Sequence, residues 1–215
     1  MNNLLYKEFK LSVHVTSYLF LLLAPMLLIP NYPYYVVFFY QTLGIFFTFQ
    51  NGNITNDVYF TTLLPIRKRD AIKARLATVV IFELLQILAA VPFAILRARL
   101  IPMENAAGME ANLALFGLVF GMFGIFNLVF LPMFYQTAFR TGAPFMTASL
   151  AMVLYAAAAE VVIHLVPGWG AILDSLNPLY LPQQAAVLIA GAAAFIALTI
   201  LAYTQSAKHF ERLDL

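Results

Sequence analysis

The chain has 215 residues, no cysteine, 63% hydrophobic residues and only 10% charged ones, against about 25% charged in a soluble domain. So few charges cannot clothe a soluble globule of this size, and without cysteine there is neither a disulfide framework nor a thiolate metal site. A formal net charge of +2 is too small for a nucleic-acid partner, which leaves an all-α protein embedded in a lipid bilayer.

The first segment, 2–14, places Leu5, Phe9 and Val13 at four-residue spacing and sets Lys7, Lys10 and His14 on the opposite side. This pattern predicts a short amphipathic helix with a basic stripe, lying in the membrane interface. A simple positive-inside anchor and an elbow that braces the bundle both suit it. The segment does not read as a cleavable signal peptide, because its charged stretch is long and mixed and no small-x-small site follows.

Apolar runs of roughly 17–25 residues mark membrane-crossing helices, and six are expected, at about 16–30, 34–50, 72–96, 112–136, 144–166 and 184–204. Pro30, Asn31 and Pro33 join the first two tightly, as a helical hairpin. The whole chain, 1–215, then forms one transmembrane domain with no soluble domain and no visible repeat. With the N-terminus inside, ten of the twelve Lys and Arg residues fall on the inner side and only Arg97 and Arg99 outside. The positive-inside rule therefore puts both termini in the cytoplasm. Trp169, Tyr180 and Tyr32 suit an outer interfacial belt.

The loop between the second and third spans is the most informative stretch. Asn51-Gly52 signals a turn, and Asn56 or Asp57 suits the N-cap of a short helix. Phe60, Leu63 and Leu64 fall at i, i+3 and i+4, beside Tyr59, and Pro65 ends the face. The run Arg67, Lys68, Arg69 follows, with Asp70 suited to cap the third span. Lys73 and Arg75 oppose the dipole of that helix, so anionic headgroups or an acidic partner surface are expected to hold them there. Topology alone accounts for the cations but not for the apolar face. An apolar knob flanked by charge has the makeup of a docking element for a soluble subunit.

Inside the third span Glu83, with Gln86 at i+3, lies near mid-bilayer. Such a charge marks either a substrate path or an acid bonded to a neighbouring helix. In the fourth span Gly117, Gly121 and Gly124 form a close-packing seam, within the chain or across a dimer, and Asn127 lies one turn further on. Glu160 and His164 pair at i, i+4 near the outer end of the fifth span, as a vestibule pair, a proton relay or a cavity lining. They lack the His-Glu-x-x-His spacing and third ligand of a zinc site, so no metal is expected. The chain has no P-loop, serine-hydrolase or dinucleotide motif. Any pumping must draw its energy from another chain or an ion gradient.

The stretches NDVYFTTLLPIRKRDAIKARL and YKEFKLSVHVTSYLFLLL resemble permease subunits of bacterial ABC transporters of the second, exporter type, in particular small six-span permeases of peptide and drug efflux systems. The likeness covers the layout of the whole chain and is specific over about the first hundred positions, where the LLP-x-x-KRD-x-x-x-AR pattern sits at 63–75. It implies an elbow at 2–14 and a coupling segment at 56–70 that fits a groove on a separate ATPase. Phe60, Leu63, Leu64 and Pro65 would form the body of that segment and Arg67, Lys68, Arg69 and Asp70 its flank, with Asp57 and Tyr59 also counted among the ATPase-coupling residues. It also implies a second permease chain, identical or related, in the bacterial cytoplasmic membrane, with ATP and magnesium bound only on the partner ATPase. This chain would then be a non-catalytic subunit exporting hydrophobic or amphipathic cargo (peptide, drug or lipid) along a path lined by parts of spans one, two and five. Spans five and six match no motif of these permeases, so the cargo does not carry over. The alternative is an ion-coupled carrier using Glu83 or the Glu160/His164 pair. An intramembrane enzyme fits less well, because Glu83 and Glu160 lie at different depths.

Overall fold

The computed structural model describes residues 2–63, 65–101 and 105–212. Helices α1 (Asn2–Lys7), α2 (Val15–Leu21), α3 (Tyr35–Ile54), α4 (Asp57–Thr62), α5 (Lys68–Leu100), α6 (Leu113–Gln136), α7 (Gly142–Leu165), α8 (Trp169–Leu173) and α9 (Leu181–Glu211) carry the fold, and no strand occurs among the described residues. Four helices are long and apolar enough to cross a membrane: α5, α6, α7 and the continuous stretch Pro178–Glu211. Two N-terminal segments, Asn3–Ser12 and Val15–Leu28, meet at 89° and together make a fifth candidate. Helix α3 has 20 residues and no charge, but Gln41, Thr42, Thr48, Gln50 and Asn51 dilute its apolar character and it falls outside this set.

The first expected span is not one helix. After α2 the chain makes a turn and then a 3-10 segment, Ala24–Leu28. Pro25 has no N–H to give an α-helical ladder, and Pro30 follows it. Helix α1 runs on as a π-helical turn, Glu8–Ser12, and His14 does not complete a basic stripe. It caps α2, its Nδ1 accepting the Thr16 N–H at 3.3 Å. Helices α5 and α9 run beyond the expected apolar limits, because Arg67–Asp70 pairing at one end and Lys208 and His209 in the last turn suit helix termini outside the apolar zone.

Helix α6 is the centre of the molecule. Phe126 stacks on Phe130 at 5.0 Å between ring centroids, and Phe49 of α3 meets Phe130 and Phe134 edge-on at 4.9 and 4.8 Å. Edge-to-face geometry of this kind aligns ring edges with ring faces. The opposite side of α6 is glycine. A Cβ on Gly117 would come within 2.5 Å of the Val187 carbonyl oxygen, and one on Gly191 would overlap the Gly117 carbonyl. The α6 and α9 backbones therefore touch, as small residues allow between apolar helices. Gly124 faces Phe195 and Leu198 of α9, while Gly121 faces the Tyr155 hydroxyl of α7.

Two ends result. The terminal end gathers α1, α4, the start of α5, the α6–α7 corner and the end of α9. The loop end gathers 29–34, 97–101, 105–112, 160–184 and the start of α9.

Candidate functional site

The terminal end is built on four charges from three elements. Arg75, on the second turn of α5, donates from Nε to Glu8 Oε2 at 3.0 Å and from Nη2 to Asp57 Oδ2. Lys7 Nζ lies 2.7 Å from Asp57 Oδ1 and 3.1 Å from Glu8 Oε1. Ser12 donates to Asp57 at 3.1 Å, and Lys7 reaches Thr61 at 2.8 Å. Arg75 also lies over the Phe49 ring at 5.3 Å, which joins the quartet to the aromatic column. Two cations face two carboxylates, so the set is neutral, and Arg75, Glu8 and Asp57 are buried. Burial alone would push the Asp57 carboxyl up, but Arg75, Lys7 and Ser12 together hold it below the usual carboxylate range.

The expectation that headgroups or a partner surface hold Arg75 is therefore corrected: its anions are Glu8 and Asp57 of its own chain. Lys73 is exposed. Asp57 does not act as N-cap either. Asn56 takes that place in the left-handed region, φ 52, with no side-chain cap bond, which frees the Asp57 carboxylate for Arg75. Nor does Asp70 cap α5. Arg67 is the N-cap, and Asp70, one turn in, accepts from Arg67 Nε at 2.8 Å.

What α4 holds outward is apolar. Tyr59, Phe60 and Leu63 are 57%, 60% and 64% exposed, and Pro65 is exposed too. Leu64, assigned to the same face, lies outside the described residues. The flanking cations have partners within the chain. Arg69 pairs with Glu211 at 2.5 Å, and Lys68 donates to the Phe210 carbonyl at 3.4 Å. Behind α4 a recess of about 470 Å³ is lined by Asn53, Tyr59, Phe139 and Arg140 among others. The α6–α7 corner beside it holds Ala138 and Phe139 at φ 52 and 69, costing roughly 1–3 kcal/mol each. Asn53 anchors that corner, donating to the Phe139 carbonyl at 2.6 Å.

In mid-molecule Glu83 is fully buried and accepts from Asn127 Nδ2 at 3.0 Å. The same amide reaches Thr199 of α9 at 3.3 Å. Gln86, expected to share the Glu83 site, is also fully buried, but its amide has no hydrogen-bond partner among the described residues.

At the loop end Glu160 and His164 do meet, His164 Nδ1 lying 3.5 Å from Glu160 Oε2 and 2.9 Å from the Glu160 carbonyl. They belong to a larger network. Glu160 accepts the Met109 N–H at 3.0 Å, His164 Nε2 lies 3.4 Å from Asp174, and Asp174 accepts the Glu110 N–H at 2.6 Å. Glu110 in turn binds the buried Arg97 at 3.1 Å, and Arg97 lies over the Tyr34 ring at 5.2 Å. Burial pushes the Asp174 carboxyl up, against the pull of the Glu110 amide and His164. Sequence reasoning missed Glu8, Arg97, Glu110 and Asp174. The available signal was a cation beyond the first turn of an apolar helix, which calls for a buried acid.

The family model for the ABC-2 family transporter protein matches residues 3–211. The chain belongs to this family. It is thus an ABC transporter permease of the ABC-2 type, a multi-pass membrane protein and a membrane transport component. The match takes in α1, the α4 knob and all four long apolar helices of the permease. No curated protein and no solved structure compared with the chain gave a match.

Proposed function

We propose that this permease is the membrane subunit of an ATP-driven exporter and that α4 is the coupling element on which a separate ATPase docks. The observation that carries the reading is a rigidly based apolar knob. Tyr59, Phe60 and Leu63 stand out from α4, while Asp57 at its root is tied to α1 and α5 through Lys7 and Arg75. Exposed aromatic anchors give affinity, and a pinned base passes displacement on instead of absorbing it. The exposed Arg67 and Arg69 supply steering. The terminal end is the cytoplasmic one, since it carries ten of the twelve Lys and Arg residues. Counting the broken N-terminal segment and α3 as crossings gives six spans with both termini inside.

Two such chains, identical or related, place two bundles side by side, with ATP and magnesium on the ATPases. The cargo is hydrophobic or amphipathic and moves outward. The test is Phe60→Asp with Leu63→Asp. The double variant should insert and elute as wild type does but lose its ATPase on co-purification. Wild-type ATPase retention would remove α4 from the coupling role.

A further inference from the structure

Between α3 and α7 lies a cleft of about 520 Å³, a size typical of sites for drug-sized molecules. One end is shut, where Phe145 of α7 packs at a tilt against Phe46 at 4.5 Å and reaches Phe39 at 6.4 Å. Towards the loop end the two helices part. Tyr35, Phe39 and Tyr40 line one wall, Met152 and Ala156 the other, and Met122 of α6 forms part of the lining. Apart from tyrosine hydroxyls, the lining has one ionisable group among the described residues, Glu160.

Glu160 is held in place. Its Oε1 accepts the Met109 N–H at 3.0 Å. Gly108, at φ +146, brings the loop so close that a Cβ there would lie 2.9 Å from Oε1. Among the described residues the surrounding charge is unbalanced. Arg97 and Glu110 neutralise each other, whereas Glu160 and Asp174 share a single histidine, His164, and Arg99 is exposed at the far end of α5. An apolar cleft with aromatic walls and a fixed carboxylate at its wide end favours one kind of occupant: a lipophilic cation, its charge beside Glu160 and its body against ring faces that also attract cations.

We infer that the α3–α7 cleft binds lipophilic organic cations and that Glu160 is the residue selecting their charge. This deepens the exporter reading by naming the chemical class of cargo, and so rests on it. The binding measurement needs no ATPase, however, and the two fail separately: losing cation binding leaves the ATPase-retention result standing, and the reverse also holds.

The probe is radiolabelled tetraphenylphosphonium, with uncharged triphenylphosphine oxide as competitor. Both are applied to the purified chain in neutral-lipid nanodiscs, with binding to empty discs subtracted. Wild type should bind the phosphonium saturably and release it only weakly to the oxide. Glu160→Gln keeps an oxygen for the Met109 amide and should weaken phosphonium binding by about tenfold or more, the scale of a lost charge–charge attraction in a partly screened site, while leaving the oxide unchanged. Ala157→Phe, which adds bulk on another lining position, should weaken both probes. Unchanged phosphonium affinity in Glu160→Gln overturns the inference. So does equal competition by the oxide in wild type, which would make the cleft an acyl-chain crevice only. If Glu160→Gln elutes as aggregate, Ala157→Phe decides, and undiminished binding in that variant refutes the site.

Discussion

Replacing Arg75 by methionine tests the quartet directly. The side chain is 6% exposed and contacts Glu8 and Asp57, themselves 5% and 9% exposed at the side chain. Removing it leaves two buried carboxylates facing Lys7 alone. Breaking a buried pair by deleting one partner costs about 3–5 kcal/mol. At roughly 2–4 °C per kcal/mol for a chain of this size, the melting temperature should fall by about 6–20 °C, read by circular dichroism in nanodiscs. The sharper measurement is the double variant. Adding Glu8→Gln to Arg75→Met removes the surplus negative charge and leaves the Lys7–Asp57 pair at 2.7 Å balanced. It should restore more than half the loss, a coupling of opposite sign to simple addition. If Arg75→Met melts within about 2 °C of wild type, or Glu8→Gln deepens the loss, charge balance is not what holds α1, α4 and α5 together.

Asp57, held below the usual range, contributes stability that is complete above its unfolded value of about 3.9 and is lost as pH falls through the lower folded value. Melting temperatures between pH 7 and 3 should therefore drop most steeply below about pH 4, and less in Asp57→Asn. Gly191→Val forces a Cβ into the Gly117 carbonyl and should prevent α6 and α9 from closing, seen as aggregation or a melting loss well above about 3 kcal/mol; Gly142→Ala, where a Cβ meets nothing within 4 Å, should fold normally. Glu83→Gln keeps an acceptor for Asn127 and should melt within about 1 kcal/mol of wild type. Glu83→Leu should cost more, by at most about 2 kcal/mol, the range of interhelical hydrogen bonds.

The long helices were legible because apolar length is a local property: α5, α6, α7 and α9 each announce themselves in a window of twenty residues. The knob on α4 was legible for the same reason, since Phe60 and Leu63 share a face by spacing alone. The partners of its base were not. Glu8 and Arg75 lie 67 positions apart, and Arg97 and Glu110 lie 13 apart, on either side of the end of α5. Such pairs are chosen by folding, and each member read singly is just a loop or interface charge. Glu160 and His164, one turn apart on a helix, could be paired from sequence, but Asp174, which completes their set, could not. The break after α2 did have a signal in Pro25, hidden by the run of leucines around it.

The quartet also constrains the order of biosynthesis. Glu8 and Asp57 emerge from the ribosome before the arginine that neutralises them, Glu8 earliest of all. Until Arg75 is synthesised, the joint of α1, α4 and α5 has two carboxylates and only Lys7 to face them. Burying acids without their cation is costly, so the joint closes only once the start of α5 has been made.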